Sequence, residues 1–354
     1  KNMVRDLLVS VIVGLGMLIN ENSAFEPGKL WKDNNGVHIN AHGGGILIYE
    51  NTYYWFGEHK VKGKIGNTAQ VGVHCYSSKD LYNWTDEGIV LQVSSDVKSH
   101  IQKGCILERP KVIYNCKTKK FVMWFHLELK GEGYMSARAG IAIADKVTGP
   151  YTFVRSMRAT PGRYPVNIRD FTADTREYFV RDLDGGQMVR DQQLFVDENN
   201  KAYHIFASEE NATLHIAELT DDYLDYTGKY VRVFENRYME APAIFKKDGL
   251  YYFMGSGCTG WTPNAARSAV SPSIWGPWTE LGNPCVGETS DKTFYSQSTY
   301  ILPVQGKKNA FIYMGDRWTP DNPIDGRYIW LPIQFEENKF KIKWVDRWDL
   351  DFFE

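Results

Sequence analysis

The chain has 354 residues and a formal net charge of −2 at pH 7, so its composition gives no electrostatic signature of nucleic-acid binding. The length allows one large all-β domain or two ordinary domains. Aromatic residues make up 14% of the chain, including 11 Trp and 21 Tyr, a content typical of proteins whose surfaces stack on sugar rings.

The first predicted element is a secretory signal over residues 1–24. An apolar run, LLVSVIVGLGMLI at residues 7–19, follows a start that contains Lys1 and Arg5 and precedes the small residues Ser23 and Ala24. These are the features of a cleaved signal, and the run is too short to cross a bilayer comfortably. We therefore expect a secreted or periplasmic protein with no membrane span. The alternative is an ordered apolar segment packed on the domain.

The five cysteines are widely spaced, at positions 75, 105, 116, 258 and 285. No two of them have the CxxC spacing of a zinc or redox site, and the odd number leaves at least one thiol free. We expect these residues to be buried small apolar side chains rather than ligands.

Five aromatic segments of similar pattern dominate the rest of the chain. Each follows a turn signal and, before the turn, another apolar strand, so the chain repeats strand, tight turn and strand five times. The segments are YYWFGEH (53–59), FVMWFHL (121–127), AYHIFAS (202–208), LYYFMGS (250–256) and AFIYMGD (310–316). A repeat of about four strands is a propeller blade. The sequence therefore predicts an all-β fold, a five-bladed β-propeller over residues 25–354. Two stacked sandwiches are the alternative, and they would not explain five similar hairpins.

A polar stretch, YPVNIRDFTADTREYFVRDLDGG at residues 164–186, interrupts the pattern before the third repeat. Its composition is rich in turn-forming residues. We expect this insertion to lie over one face of the propeller.

The residues just before each predicted inner hairpin are unusually polar. The innermost strands of a propeller run beside a central axis, so these entry residues converge on one hollow. The five entries are AHGGG (41–45), LERP (107–110), VRDQ (189–192), MEAP (239–242) and YSQS (295–298). Partial desolvation there would raise the pKa of Glu240 and suit it to general acid catalysis, with Asp191 tuning that pKa. The alternative is that these acids form structural ion pairs with Arg190, Arg109 or Arg237.

Several longer motifs together are specific to one family. They are AHGGG (41–45), YYWFGE (53–58), ERPKVIYN (108–115), RDQQLFVDENNKAYHIFASEENATLHI (190–216), MEAPAIFK (239–246), SGCTGWTPNAAR (256–267) and YSQSTYILP (295–303). On these motifs the sequence resembles glycoside hydrolase family 43, the five-bladed propellers, and within it the exo-β-1,3-galactanases. The resemblance runs from about Ile39 to Phe353.

The resemblance implies that Glu240 is the general acid, that Asp191 orients it and modulates its pKa, and that Gln297 replaces the usual base. Most members of this family have a general-base Asp on the first blade, where this chain has His42-Gly43. A neutral amide is a weak base, so Gln297 would act either as an imidic-acid tautomer or by positioning the attacking water. Both possibilities stay open at this point.

The resemblance also implies a set of sugar-binding residues. The set comprises Glu58, Glu108, Tyr134, Asn211, Thr259 and Trp261. The two acids would accept hydrogen bonds from galactose hydroxyls, and Trp261 would stack on a sugar face. For Tyr134 and Trp261, plain core packing is the alternative. Some propellers of this family hold a structural calcium ion, but no cluster of hard-oxygen ligands in this sequence demands one, and we expect no required cofactor.

The sequence thus predicts an exo-acting, inverting hydrolase that releases galactose from β-1,3-galactan, with a β-1,3-linked galacto-oligosaccharide or arabinogalactan as its partner. One alternative is an arabinofuranosidase or xylosidase of the same fold, which normally has the first-blade Asp base. A second alternative is a non-catalytic sugar-binding propeller, whose acids only hydrogen-bond to the ligand. The sequence does not predict the oligomeric state.

Overall fold

The computed structural model describes residues 21–168 and 173–354, which form five sheets arranged as the blades of a β-propeller. In each blade the innermost strand comes first and the chain then leads outward strand by strand, except in the fifth, where an outer strand precedes the innermost one. The five strand–turn–strand repeats of the sequence are the two inner strands of each blade. The prediction of an all-β, five-bladed propeller is therefore confirmed.

The first four blades have four strands each. Blade 1 consists of β1 (His42–Tyr49), β2 (Thr52–His59), β3 (Gly72–Ser78) and β4 (Thr85–Gln92). Blade 2 consists of β5 (Ile106–Asn115), β6 (Lys120–Glu128), β7 (Arg138–Ala144) and β8 (Thr152–Met157). Blade 3 consists of β9 (Gln192–Val196), β10 (Ala202–Ser208), β11 (Thr213–Leu219) and β12 (Tyr226–Val233). Blade 4 consists of β13 (Met239–Lys247), β14 (Leu250–Gly257), β15 (Arg267–Ser271) and β16 (Thr279–Gly282).

The fifth blade has an extra outer strand. Its members are β17 (Cys285–Val286), β18 (Gln297–Pro303), β19 (Phe311–Arg317), β20 (Arg327–Glu336) and β21 (Lys339–Lys343). The short β17 comes before the inner strand β18 in the chain, but it forms the outer edge of the blade and pairs in parallel with β21. A short 3₁₀ segment, Ser290–Tyr295, connects it to β18.

The hydrophobic core is divided into five clusters, each between two neighbouring blades. Successive side chains of a strand point to opposite faces, so each inner hairpin supplies two interfaces. In β2, for example, Trp55 packs toward blade 5 and Phe56 toward blade 2, and both are buried. The alternating apolar pattern therefore dictates that blades pack face to face around the axis.

Two features lie outside the blades. The insertion at 164–186 contains a helix, α1 (Ala173–Arg181), where the sequence predicted turn-rich chain. The second feature is a backbone pairing between Phe25 and Trp348, which joins the two ends of the described chain. Most of the predicted signal lies outside the described residues, and its cleavage stays a prediction. Within the described part of the chain, no helix is long and apolar enough to cross a membrane.

The cysteines behave largely as expected. All five are free thiols, and Cys75, Cys105 and Cys285 are buried in the cores. Cys116 is exposed, while Cys258 is partly buried beside the entry to blade 4.

Candidate active site

The entries to three inner strands share a backbone irregularity that aims their side chains at the axis. The pairing register slips at the start of β1, β5 and β13, and the slip contains a residue with positive φ: Gly43 (60°), Arg109 (52°) and Ala241 (53°). Such a bulge bends the strand and redirects neighbouring side chains. Because Arg109 and Ala241 are not glycines and each precedes a proline, their conformation is strained.

Polar groups from neighbouring blades hold the strained peptides in place. The amide of Arg109 donates to Glu58 Oε2 (3.1 Å), and the amide of Ala241 donates to Asp191 Oδ2 (3.0 Å). The carbonyl of Ala241 accepts a hydrogen bond from Ser298 Oγ (2.7 Å). These contacts come from other blades, so assembly of the propeller fixes the direction of Glu108 and Glu240.

The entries surround a cavity of about 370 Å³ at the axis. Eight of the nine predicted site residues line it: Glu58, Glu108, Tyr134, Asp191, Asn211, Glu240, Trp261 and Gln297. Thr259 is the exception. Its hydroxyl donates to the backbone carbonyl of Thr262 (2.5 Å) and accepts a hydrogen bond from the side-chain amide of Asn264 (2.6 Å). Thr259 therefore shapes the loop that carries Trp261.

Glu240 lines this cavity and can hold a proton at neutral pH. Burial raises its pKa to about 7, and the negative charge of Asp191 acts in the same direction, while Arg109 opposes both. The amide of Asn211 donates to Glu240 Oε1 (3.3 Å). A group with this pKa is half protonated at pH 7, as general acid catalysis requires.

Asp191 acts on Glu240 through its charge and through the adjacent backbone. Its Oδ1 pairs with Arg109 Nε (3.2 Å), and its Oδ2 accepts the amide of Ala241, next in the chain to Glu240. One of the ion pairs that the sequence suggested is thus present and belongs to the cavity. Arg190 and Arg237 pair elsewhere, with Glu210 (3.0 Å) and Glu280 (3.1 Å) respectively.

The amide of Gln297 is held on both sides. Its Oε1 accepts hydrogen bonds from Arg109 Nη2 (2.7 Å) and Trp318 Nε1 (3.0 Å), and its Nε2 donates to Ser256 Oγ (2.9 Å). Guanidinium and indole N–H groups are donors only, so they identify which atom of the amide is the oxygen. Both lone pairs of that oxygen are engaged, and among the described residues only Ser256 accepts a hydrogen bond from Nε2, which leaves its second N–H available.

A buried chain of charges fixes Glu108. His126 bridges Glu108 Oε2 (3.2 Å) and Glu128 Oε1 (3.0 Å), and the hydroxyl of Tyr134 donates to Glu108 Oε1 (2.8 Å). Burial alone would raise the pKa of Glu108, but hydrogen bonding to His126 and its charge hold it at about 2. Burial opposes protonation of His126, yet the two carboxylates raise its pKa to about 9. Glu108 is therefore a fixed anion that accepts hydrogen bonds.

Glu58 occupies the space beside the first-blade entry. Its Oε1 pairs with Lys60 Nζ (2.8 Å). A Cβ at Gly43 would lie 2.1 Å from Glu58 Oε2, closer than any real contact. Glu58 thus fills the volume that a side chain at Gly43 would need.

Three groups in the cavity have the chemistry of metal ligands. Glu108, His126 and Asp191 offer ligand atoms within 4.8 Å of one another. These atoms already face N–H partners, because His126 pairs with Glu108 and Arg109 pairs with Asp191. A bound cation would have to displace these contacts.

Lys111 is a buried cation beside the first-blade entry. Its Nζ donates to the carbonyl of Gly43 (3.0 Å), and burial together with the charge of Arg109 lowers the pKa of Lys111 to about 7.

The two aromatic residues predicted for the site lie at its mouth and not in the core. Tyr134 is 37% exposed and Trp261 is 43% exposed. The ring of Trp261 lies edge-on to that of Trp318, with centroids 6.0 Å apart. An exposed aromatic ring at a polar cavity is typical of a sugar-binding site.

Sequence reasoning gave little weight to the residue that connects the site. Arg109 contacts Asp191, Gln297 and the carbonyl of Ser298, and it was considered only as an ion-pair partner. Trp318 and Lys60 also line the cavity and are not predicted from the sequence. Arg109 lies in the predicted entry LERP (107–110), whereas Lys60 and Trp318 lie just beyond the ends of the second strands β2 and β19, and a spacing in sequence does not reveal which distant groups such long side chains reach.

The chain is similar to known proteins of one family. The family model for glycosyl hydrolases family 43 matches residues 42–327. A family 43 β-1,3-galactosidase solved with galactodeoxynojirimycin is 54% identical, with a TM-score of 0.87, over 92% of this chain and 100% of that one. A second family 43 β-1,3-galactosidase is 40% identical, with a TM-score of 0.82, over 94% of this chain and 65% of that chain.

More distant relatives extend the comparison. An exo-β-1,3-galactanase from Phanerochaete chrysosporium, solved with β-1,3-galactotriose, is 32% identical, with a TM-score of 0.78, over 92% of this chain and 68% of that one. A curated β-D-galactofuranosidase from Aspergillus niger is 28% identical over 113 residues, which are 30% of this chain and 32% of that protein. The chain thus spans about a third of the curated relative and about two thirds of several solved ones.

Proposed function

The chain belongs to glycosyl hydrolase family 43, and from this premise we propose that it releases galactose from the end of β-1,3-galactan. The observation that carries the proposal is Glu240, which has a pKa of about 7 and lies in a cavity lined by the fixed anion Glu108, by other polar residues and by exposed aromatic residues. Similarity to β-1,3-galactosidases and exo-β-1,3-galactanases supports galactose as the released sugar.

In the proposed reaction the terminal galactosyl residue enters the cavity and its hydroxyls donate to Glu58 and Glu108. Glu240 gives its proton to the glycosidic oxygen as the bond between that oxygen and the anomeric carbon breaks. A water molecule adds to the opposite face of the sugar and loses its proton to the water of the open cavity, so the anomeric configuration inverts. Asp191 keeps the pKa of Glu240 high enough for the acid to start protonated.

For Gln297 we propose water positioning in place of proton abstraction. An imidic-acid tautomer carries its proton on the oxygen, where it would meet the N–H groups of Arg109 and Trp318. Two donors at that atom favour the ordinary amide. The remaining N–H on Nε2 can hold the oxygen of the attacking water while Ser256 fixes the other N–H.

The alternatives predict different outcomes from the same substrates. An arabinofuranosidase or xylosidase would turn over an arabinofuranoside or xyloside and leave β-1,3-galactobiose intact. A non-catalytic propeller would bind galactobiose without releasing galactose. A secreted or periplasmic location also belongs to this proposal and is supported by the apolar run at 7–19. Arabinogalactan as the natural polymer belongs to it as well, on the ground that a relative was solved with β-1,3-galactotriose, the linkage of the proposed backbone.

The direct test is incubation of the protein with β-1,3-galactobiose, with galactose measured against time. We expect galactose release by the wild-type protein and its loss in Glu240→Gln, with galactobiose binding retained. Glu198→Gln is the matched control, since Glu198 is an exposed acid on the turn after β9. Turnover of an arabinofuranoside alone, or equal activity of Glu240→Gln, would contradict the proposal.

A further inference from the structure

A second cavity adjoins the first on the side of blades 4 and 5. Its volume is about 160 Å³, and it shares Trp261, Gln297 and Trp318 with the catalytic cavity. Its outer end is lined by Tyr295 and Arg317. The proposed catalytic steps leave this space unassigned, although it opens directly from the mouth of the site.

Tyr295, at the outer end of this second cavity, lies on a strained turn. Thr293, Phe294 and Tyr295 all have positive φ (51°, 55° and 58°), a conformation that costs about 1–2 kcal/mol for each residue that is not glycine. Strain of this kind persists only where the surroundings impose it. Arg317 imposes it here by donating to the carbonyls of Phe294 (2.9 Å) and Tyr295 (3.3 Å).

The turn places one aromatic ring inside the fold and the next one outside. Phe294 is buried, whereas 50% of Tyr295 is exposed. Burial of an aromatic ring is the usual source of its stabilising effect, and Tyr295 forgoes much of it. A strained backbone that fixes an exposed ring beside a catalytic cavity is a candidate binding element.

Beyond Tyr295 the surface continues as a wider groove of about 660 Å³. Tyr295 and Arg317 line both spaces, and Trp344 lies in the groove, with Arg317 over its ring at 5.8 Å from the centroid. The shared linings set an order from the catalytic cavity outward: Trp261, then Tyr295, then Trp344. We call this the aromatic path.

The blade 3 side of the mouth has a different character. There Arg190 and Arg181 both pair with Glu210, at 3.0 and 2.9 Å. A paired charge network offers little apolar surface, while a row of aromatic rings matches the C–H faces of successive hexoses. The chemistry of the rim therefore favours one direction for a bound polysaccharide.

We propose that the aromatic path binds the galactosyl residues that remain on the polymer beyond the one being cleaved. The inference rests on the proposed function, because it takes its ligand from the reaction in the adjoining cavity. An enzyme that works from a chain end releases its product and must hold the shortened polymer, and this path would increase the local concentration of the next terminal residue.

Kinetics with substrates of increasing length test the path. We expect wild-type kcat/KM to rise from β-1,3-galactobiose to linear β-1,3-galactohexaose, and we expect Trp344→Ala and Tyr295→Ala to lose about fivefold to tenfold on the hexaose alone. Phe352→Ala is the matched control, an exposed aromatic (41%) that packs near Trp348. A length advantage that survives in both variants would overturn the proposal, as would an equal loss on galactobiose, which would mean a disturbed Gln297. A loss confined to galactans with branches would assign the path to branch sugars instead and also overturn it.

A binding measurement separates this proposal from the catalytic one. In the Glu240→Gln background, calorimetry should show that galactohexaose binds more tightly than galactobiose and that Tyr295→Ala removes the difference. If no galactose is ever released but this length dependence holds, the proposed hydrolysis fails and the aromatic path stands. If galactose is released but the hexaose and the biose bind equally, the path fails and the hydrolysis stands.

Discussion

Replacing Asp191 by Asn should move the pKa of Glu240 while keeping the shape of the site. The Asn oxygen can still accept the amide of Ala241, which Asp191 now binds at 3.0 Å. Two unit charges about 5–6 Å apart in an effective dielectric of about 20 interact by ~3 kcal/mol, which is ~2 pKa units. The pKa of Glu240, now about 7, should therefore fall to ~5 without the negative charge. Arg109 loses its partner in this variant, and its free charge acts in the same direction.

The consequence is a defined loss of activity at neutral pH. The protonated fraction of Glu240 at pH 7 would fall from about half to ~1%, so kcat on β-1,3-galactobiose should drop by ~50-fold. The loss should shrink toward pH 5, because the alkaline limb of the pH profile moves from near 7 to near 5. An aryl β-galactoside with a good leaving group needs little protonation and should lose much less.

Full pH profiles of kcat for both substrates make this measurement. Asp197→Asn is the matched control, since Asp197 lies on the same blade and pairs with Lys246 (3.0 Å) at the far end of β9. An alkaline limb that stays near pH 7 in Asp191→Asn, with kcat reduced equally at every pH, would refute the reasoning. Asp191 would then act by binding substrate and not through the pKa of Glu240.

Three further predictions concern the same cavity. The folded-state pKa of Glu240 lies above its ordinary value of 4.5, so the native state loses stability as the pH rises from 4.5 through 7. Glu240→Gln cannot ionise and should therefore be more stable than wild type by ~1–3 kcal/mol at pH 8. At pH 4 the two proteins should have equal free energies of unfolding, measured with denaturant. Gln297→Ala should lower kcat by ~10²-fold with little change in KM, and full activity would remove Gln297 from the mechanism. Gly43→Ala should destabilise far more than Gly36→Ala in thermal melts: both have positive φ, but an added Cβ meets Glu58 at 2.1 Å in the first and nothing within 4 Å in the second. Similar melting temperatures for the two variants would contradict the role given to Glu58.

The fold was predictable because its signals are local. Alternating apolar residues and turn chemistry define each inner hairpin, and five of them leave the propeller as the simplest arrangement. The convergence of Glu240, Asp191 and Gln297 then follows from symmetry, because equivalent entry positions face the same axis. The structure brings these residues to one cavity although Asp191 and Gln297 are on different blades.

What escaped prediction depends on contacts between distant parts of the chain. The bulges at Glu108 and Glu240 arise from a register slip that the partner strands and neighbouring blades hold in place. Arg109 reaches Gln297 across 188 positions of sequence, and no local pattern specifies that choice. The helix Ala173–Arg181 was missed since its sequence is polar with weak apolar periodicity, the main signal for a helix.

The stereochemistry of the first product tests the account most directly. Hydrolysis of the methyl β-glycoside of β-1,3-galactobiose, whose reducing end is blocked, followed by proton NMR should show α-galactose at the earliest times, before mutarotation, because water adds to the face opposite Glu240. Initial formation of β-galactose would contradict the single-displacement mechanism, and no galactose at all would contradict the assignment of this cavity as a hydrolytic site.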